Sequence, residues 1–210
     1  YQNIIDQGEH SAELYFNLGN TYYKLNKIAP SIYNYEKALL LKPNDTEIKN
    51  NLAFAQNMTL DAIEVLPETG LSRLYRSVTS KLSFDEWAYL SIVCIFLFVV
   101  GYILYYFLNY ATQKRISFIS SFVFLFMGIF LVIIAYIEYE KFKNDQPAIV
   151  FDTEVIIKSE PNNRSQETFR LHEGAKVNVE ETLNEWKKIK LTDGKTGWIP
   201  SKSIKMLKNF

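Results

Sequence analysis

Two long uncharged stretches in the middle of the chain limit its fold more than any other feature. The first reads WAYLSIVCIFLFVVGYILYYFLNYATQ over residues 87–113, and the second reads ISFISSFVFLFMGIFLVIIAYI over residues 116–137. A helix of about 20 apolar residues crosses the hydrocarbon core of a bilayer, where the backbone must satisfy its own hydrogen bonds. The stretches therefore predict a membrane hairpin over residues 83–143, with helical spans at about 87–111 and 116–138. The alternative is a pair of helices in a soluble core, although such helices usually keep a polar stripe.

Residues next to the spans predict where the hairpin begins and where it turns. Ser83 and Glu86 have the spacing of a capping box, which places the start of the first helix there. Lys114 and Arg115 are expected in a short turn at residues 112–115. Because basic residues favour the cytoplasmic side, the turn is predicted to be cytoplasmic and both flanking domains extracytoplasmic.

The side chains in and around the spans indicate an anchor rather than a transport pathway. Aromatic residues, which favour headgroup depth, lie at the predicted span ends: Trp87, Tyr89, Tyr105, Tyr106, Tyr110, Tyr136 and Tyr139. No charged residue lies inside either uncharged stretch, which argues against a transporter or pump. Cys94 is the single cysteine, so a disulfide within the chain is excluded, and this residue is expected to be a small packing residue.

Upstream of the hairpin, residues 12–45 have the spacing of one tetratricopeptide repeat. The signature residues are Tyr15, Leu18, Gly19 and Tyr22 in a first helix and Tyr35, Ala38 and Pro43 in a second. Gly19 and Ser31 are both small, which predicts that the two helices cross at these positions. Pro43 is expected to end the second helix.

The same period extends beyond residues 12–45 in both directions. Residues 1–11 are interpreted as the end of a preceding repeat, and residues 46–58 as the first helix of another. Repeats bury their faces by stacking, and about three are needed for stability. The pattern therefore predicts an all-α tetratricopeptide solenoid over residues 1–63, with further repeats before Tyr1.

A concave groove lined by the first helix of each repeat is the expected peptide-binding site. The groove-facing candidates are Phe16, Asn17, Asn20, Tyr23, Lys24, Asn50, Asn51 and Phe54, with Glu13 and Glu47 beside them. Asn side chains can bind both the N–H and the C=O groups of an extended peptide. Asn20 and Asn51 resemble two positions of carboxylate-clamp repeat domains, but Phe16 stands where that clamp has Lys. A C-terminal carboxylate ligand is therefore not expected, and the alternative is that these residues form ordinary solvated helix surface.

Residues 64–82 connect the repeats to the hairpin. The stretch LPETG at residues 66–70 has the composition of a linker. The segment after it predicts an amphipathic helix, with an apolar face of Leu71, Leu74, Tyr75 and Val78 and with Arg73, Arg76 and Lys81 off that face. Two placements of this helix are open: on the membrane surface, or against the last repeat helix.

Short runs of alternating apolar and polar residues predict a small all-β barrel at residues 147–210. The runs are AIVFD, EVIIKS, KVNVEE, WKKIKL and TGWIP, and Asp193-Gly194 marks a hairpin between the last two. The segments EGAKVNV, WKKIKL and DGKTGWI resemble the bacterial Src-homology-3 (SH3) family. The resemblance implies that Trp186 and Trp198 pack the barrel or line its face, so both are barrel-face candidates. It also implies a structural or protein-docking module or, as the alternative, a module that binds cell-wall material.

The order of these parts is more specific than any one of them. Tetratricopeptide repeats, an amphipathic helix, a two-span hairpin and a bacterial SH3-like domain together resemble the E-type proteins of the Bat aerotolerance operon over essentially the full chain. The resemblance implies a multi-pass protein of the bacterial inner membrane with both soluble domains in the periplasm. It also implies von Willebrand factor A-type membrane partners in a cell-envelope complex linked to oxidative stress or aerotolerance.

Little in the sequence points to catalysis. Gly-rich phosphate loops, GxSxG elbows and HExxH pairs are absent, and we expect neither a cofactor nor a metal. The 23 basic and 23 acidic residues balance, which argues against nucleic acid as a partner. The predicted function is a non-enzymatic membrane scaffold that binds proteins and contacts membrane lipid. The alternatives are a protein that binds or senses peptidoglycan and, third, a subunit of an envelope enzyme or transporter.

Overall fold

The described residues form two compact units. The computed structural model describes residues 1–61, 63 and 70–208. The repeat–sheet unit combines Tyr1–Leu66 with Asp145–Phe210, and the hairpin unit is Pro67–Asn144. The predicted fold class is confirmed, because stacked helices, an apolar helical hairpin and an all-β antiparallel sheet are all present.

The N-terminal part of the repeat–sheet unit is helical. Its helices are α1 (Gln2–Asp6), α2 (Ala12–Lys24), α3 (Ile28–Leu41) and α4 (Thr46–Gln56). Ser11 and Asp45 cap α2 and α4, because the oxygen of each side chain accepts a backbone N–H group of the first turn. Helix α3 ends at Leu41, so the predicted end of the second repeat helix before Pro43 is confirmed.

Helices α2 and α3 cross at two small residues. Ser31 Oγ donates a hydrogen bond to the Gly19 carbonyl oxygen at 3.0 Å, and both residues are buried. A Cβ atom at Gly19 would lie 2.5 Å from the Tyr35 ring, so a larger residue would force the helices apart. The predicted crossing of the helices at Gly19 and Ser31 is confirmed.

The C-terminal part of the repeat–sheet unit is a seven-stranded antiparallel sheet in the order β3-β2-β6-β5-β4-β1-β7. The strands are β1 (Pro147–Val150), β2 (Glu154–Lys158), β3 (Glu167–His172), β4 (Lys176–Leu183), β5 (Trp186–Lys190), β6 (Thr196–Pro200) and β7 (Ile204–Met206). Gly194 adopts a φ of 88° between β5 and β6, which confirms the predicted Asp-Gly hairpin. The core of the sheet includes Val150, Val155, Ile157, Leu171, Val177, Ile189 and Ile199.

Strands β3 and β7 were not among the predicted runs. They lie at the two ends of the strand order, so each pairs with a single neighbour. Half of the residues of β3 are exposed, and Leu171 is its one buried residue. Strand β7 has three residues, which is too short to show an alternating pattern. Edge position and short length explain why the sequence pattern did not reveal them.

Strand β1 is buried along its whole length, unlike a strand with one solvated face. Ala148 and Val150 belong to the core of the sheet. Ile149 and Leu207 belong instead to a second core, which they share with Ile32, Tyr35 and other buried residues of the repeat helices. The sheet and the helices therefore pack into one unit through β1 and the segment after β7.

The hairpin unit contains α5 (Gly70–Thr79), α6 (Phe84–Phe107) and α7 (Ala111–Asn144). Helices α6 and α7 are long and apolar enough to cross a membrane. Only 11% and 28% of their most apolar stretches are buried, whereas a core helix of a soluble protein would be mostly buried. Such large exposed apolar surfaces indicate membrane association. The predicted linker at residues 66–70 lies outside the described residues except for Gly70.

Helices α6 and α7 pack in antiparallel fashion. Phe84 at the start of α6 contacts Tyr139 near the end of α7, with ring centroids 5.6 Å apart. Ser117 Oγ donates to the Gly101 carbonyl oxygen at 2.6 Å, which shows a close approach of the two backbones. Cys94 is buried in this interface, as predicted for a packing residue. The capping box is confirmed as well, because Ser83 and Glu86 each accept the other's backbone N–H group.

One detail of the predicted hairpin is wrong. The turn lies at residues 108–110, and Lys114 and Arg115 belong to the first turns of α7. Asn109 is a poor helix former, whereas the residues that follow it continue a helix readily. Trp87 is only 8% exposed, and its indole N–H donates to the Thr79 carbonyl oxygen at 3.2 Å. It packs inside the hairpin unit, in the first turn of α6.

Candidate functional site

Two of the predicted groove residues, Asn20 on α2 and Asn51 on α4, are in direct contact. Asn51 Nδ2 donates to Asn20 Oδ1 at 3.0 Å, and the Tyr35 hydroxyl donates to the same oxygen at 2.6 Å. Both asparagines are half-buried. These bonds fix the two side chains relative to each other, and we call them the asparagine pair.

The asparagine pair retains one donor group and one acceptor atom. Asn20 uses its carbonyl oxygen in the two bonds, and Asn51 uses its amide nitrogen. Among the described residues, no hydrogen bond engages Asn20 Nδ2 or Asn51 Oδ1. An amide N–H beside an amide C=O matches the C=O and N–H of an extended backbone. The pair can therefore hold one residue of a peptide without any ionised group.

The other groove candidates lie around the pair on α2 and α4. Phe16 is half-buried, with its ring 5.9 Å from that of Tyr35. Phe54 is 60% exposed, although a large aromatic ring on a helix surface usually finds a partner. The remaining candidates are also exposed: Asn17, Tyr23, Lys24 and Asn50. The structure thus brings Asn20 and Asn51 into contact and leaves the other six on the surface of the same two helices.

A small cleft of about 140 Å³ lies at one end of this surface. It is lined by Ala12, Glu13, Phe16, Lys42, Asp45, Glu47 and Ile48. Lys42 Nζ donates to Glu13 Oε1 across it, and this hydrogen bond lowers the pKa of the Glu13 carboxyl. Glu13 is therefore ionised and paired near neutral pH, so it offers little attraction to a cationic ligand.

The sheet carries a larger cleft of about 600 Å³ beside Trp186. It is lined by Asn163, Asn184, Glu185, Trp186, Pro200, Ser201 and Lys202. Ser201 Oγ is buried and makes no hydrogen bond within the described part of the chain. A buried hydroxyl without a partner is costly, so this atom is a candidate contact for a polar ligand group.

The two predicted barrel-face tryptophans occupy different surroundings. Side chains alternate between the two faces along β5 and β6, so Trp186 and Trp198 lie on the face opposite to the buried Ile189 and Ile199. Both are half-buried, and neither belongs to the core of the sheet. Trp186 lines the 600 Å³ cleft, whereas Trp198 is not among its lining residues.

Polar contacts between the repeat helices and the sheet form an interface that the sequence reasoning missed. Lys176 on β4 donates to Glu36 on α3 at 2.7 Å, and Glu36 is buried. The Tyr33 hydroxyl donates to the Met206 carbonyl oxygen at 3.2 Å. The one available signal was the run PAIV at β1, which is apolar at every position and so suits a strand covered on both faces.

Lys37 on α3 is a buried cation among the repeat helices. It is 4% exposed, and its Nζ lies 3.3 Å from the Tyr15 hydroxyl and 4.9 Å from the centre of the Tyr15 ring. Burial lowers the pKa of Lys37 and raises the pKa of Tyr15. Ring faces attract a desolvated ammonium group, which offsets part of the cost of burying it.

Comparison with known families agrees with this geometry. Residues 12–45 match the tetratricopeptide repeat, and residues 153–205 match the bacterial SH3 domain. These two families typically provide interaction surfaces rather than catalytic centres. No curated protein matches the chain. Among the described residues, no group of three or more His, Cys, Asp or Glu side chains could hold a metal ion.

Proposed function

We propose that this protein is a membrane-anchored scaffold that binds an extended peptide of a partner protein across α2 and α4. The observation that carries the proposal is the asparagine pair, with Asn20 Oδ1 held by both Tyr35 and Asn51. Asn20 Nδ2 would donate to a peptide carbonyl, and Asn51 Oδ1 would accept from the N–H group of the same residue. Phe54 beside the pair offers apolar contact to a peptide side chain.

The hairpin unit supplies the anchor in this proposal. Helices α6 and α7 cross the inner membrane of a bacterium, and the repeat–sheet unit lies in the periplasm. The repeat and SH3 matches support protein binding, and the resemblance to E-type Bat proteins supports a von Willebrand factor A-type membrane partner. The complex would serve the cell envelope under oxidative stress or exposure to air.

Photo-crosslinking from the groove tests the scaffold function. A benzoyl-phenylalanine at position 54, in membranes of cells that express the full chain, should form a discrete adduct with the partner. The double variant Asn20→Ala with Asn51→Ala should reduce the adduct at least about tenfold, because two ligand hydrogen bonds are lost. The matched control is Asn44→Ala, which changes an exposed loop asparagine. Equal adduct yield in the double variant and the control would contradict the proposal.

The orientation is tested separately from partner binding. Reporter enzymes that are active only in the periplasm, fused after Tyr110 or at the C-terminus, should be active at the C-terminus alone. The reverse pattern would place the repeat–sheet unit in the cytoplasm and would leave the crosslinking result unaffected.

A second candidate function is binding of peptidoglycan through the cleft beside Trp186. This function is favoured by the Trp186 ring that lines the cleft and by the buried Ser201 hydroxyl, which has no hydrogen-bond partner among the described residues. Aromatic rings stack on sugar rings, and a buried hydroxyl can pair with a sugar or peptide group. In a sedimentation assay with purified cell-wall sacculi, the detergent-solubilised full chain should pellet, and Trp186→Ala should release it. Trp198→Ala is the matched control, since that ring lies outside the cleft.

A further inference from the structure

Helix α5 exposes an apolar stripe. Leu71, Leu74 and Val78 are 83%, 64% and 48% exposed. At about 100° of rotation per residue, these three side chains project within a sector of about 60° on the helix. Arg73 lies on the opposite side of the helix from this sector. The helix is therefore strongly amphipathic, with its apolar side uncovered by the described residues.

Specific contacts hold α5 against the end of the hairpin. The Tyr75 hydroxyl donates to Glu138 Oε1 at 2.8 Å, and Lys141 Nζ lies 4.2 Å from the centre of the Tyr75 ring. Thr79 is buried, and its carbonyl oxygen accepts the Trp87 indole N–H. These contacts join α5 to the first turns of α6 and the last turns of α7. The apolar stripe is therefore fixed beside the place where the two candidate spans begin and end.

The charge of this segment is uniformly basic. Between Gly70 and Ser83 the chain carries Arg73, Arg76 and Lys81 and no acidic residue. On the neighbouring helices, Glu86 caps α6, and Glu138 bonds to Tyr75 and Lys141. An apolar stripe with basic side chains on the other faces suits a surface that has an apolar interior and a negatively charged outer layer.

We propose that α5 is an interfacial helix that binds anionic phospholipid, with its apolar stripe among the acyl chains and its basic residues at the headgroups. Continuity with the spans identifies the occupant, since lipid that surrounds α6 and α7 also reaches the stripe beside them. Amphipathic helices of this kind bind through buried apolar area plus attraction to anionic headgroups. This inference is independent of the peptide groove, and it rests on the proposed membrane anchorage through α6 and α7.

Depth-dependent quenching tests the first half of the proposal. Cys94→Ser removes the single native cysteine, and Leu74→Cys or Ser77→Cys then accepts an environment-sensitive fluorophore. The labelled full chains are placed in phosphatidylcholine–phosphatidylglycerol nanodiscs that contain acyl-chain spin labels. The fluorophore at position 74 should be quenched severalfold more than that at position 77. Equally weak quenching at both positions would overturn the proposal. A protein that copurifies with the chain and shields the stripe from the quencher would overturn it as well.

Lipid charge tests the second half. In the anionic nanodiscs, Arg73→Gln should lower the ratio of immersed to free helix by about fivefold, and added salt should act in the same direction. Lys188→Gln, on the sheet, is the matched control for total charge. The reference is the immersion of the native helix in anionic nanodiscs. If purely zwitterionic nanodiscs and the arginine variant both give the same immersion as this reference, anionic lipid is not the ligand.

Discussion

Asp61 accepts the backbone N–H of His172 at 2.7 Å, and its second carboxylate oxygen lies 2.8 Å from His172 Nδ1. The two residues are far apart in sequence, with the entire hairpin between them. Asp61 follows the last repeat helix, and His172 ends β3. One carboxylate thus joins the segment that precedes the hairpin to the sheet that follows it, so the repeats and the sheet belong to a single unit although the hairpin separates them in sequence.

Asp61→Ala should destabilise the repeat–sheet unit. The substitution leaves the His172 backbone N–H without its acceptor in a partly buried site, which costs about 1–3 kcal/mol of unfolding free energy. Thermal unfolding of the full chain in detergent micelles measures the loss. Asp152→Ala, at an exposed aspartate in the loop between β1 and β2, should leave the midpoint unchanged. Equal midpoints for both variants would show that the Asp61 contact does not hold the unit together.

Gly174→Ala should be more harmful than a matched change at Gly8. Both glycines have positive φ, at 88° and 86°, so alanine is strained by about 1–2 kcal/mol at either position. At Gly174 the new Cβ would also lie 2.9 Å from Ile32 Cδ1, whereas nothing lies within 4 Å at Gly8. The additional loss in unfolding free energy therefore reports the contact of this turn with the repeat. A loss no greater than that of Gly8→Ala would argue against the observed packing.

Tyr35→Phe should weaken partner binding through the groove. It removes the hydroxyl that donates to Asn20 Oδ1, so the asparagine side chain is held by Asn51 alone. The loss of one positioning hydrogen bond corresponds to about a fivefold decrease in affinity. Crosslinking yield from position 54 as a function of partner concentration gives the value. Tyr22→Phe is the control, because the half-buried Tyr22 lies on α2 outside this network.

The stability of the unit should rise with pH in the alkaline range and then fall. Burial lowers the pKa of Lys37 below 10.5, so between that lowered pKa and 10.5 the unfolded chain binds more protons than the folded one. The unfolding free energy therefore increases with pH in this window. Burial raises the pKa of Tyr15 and Tyr35 above 10.0, so the folded chain retains more protons above pH 10 and stability then decreases.

Lys37→Met should abolish the rise of the unfolding free energy with pH and retain its decrease above pH 10. Denaturant titrations of the full chain in micelles, at several values between about pH 8 and pH 11, give the two slopes. Lys49→Met, at an exposed lysine of α4, should leave the profile of the native protein intact. If the unfolding free energy still rises with pH in Lys37→Met, another group causes the rise.

Local and periodic features of the chain were predictable because their causes are local. The spacing of Gly19, Ser31 and Tyr35 encodes a helix crossing, since small residues must stand where two backbones meet. Ser83 and Glu86 encode a helix start, and Asp193-Gly194 encodes a hairpin, through bonds and dihedral angles within a few residues. The membrane stretches follow from length and apolar character alone.

The placement of the groove residues on two helices was predictable, but their chemistry was not. Asn20 and Asn51 were expected on one surface because both lie in the first helices of successive repeats. That they bond to each other and to Tyr35 depends on the rotation and separation of α2, α3 and α4. The position of Trp186 in a cleft, and of Trp198 outside it, depends likewise on the pairing of β5 with β6 and on the turn at Asn184.

By itself, the sequence determined the classes of structure: repeat helices, an apolar hairpin and a small antiparallel sheet, each specified by periodicity and turn residues within its own segment. Only the tertiary structure decided that the repeat and the sheet are one unit and that the hairpin is an insertion within it. The contacts Asp61–His172, Glu36–Lys176 and Ile149 against the repeat core join residues from opposite ends of the chain. No periodic pattern encodes such pairs, because each residue suits an ordinary surface or strand until the two surfaces meet and exclude water.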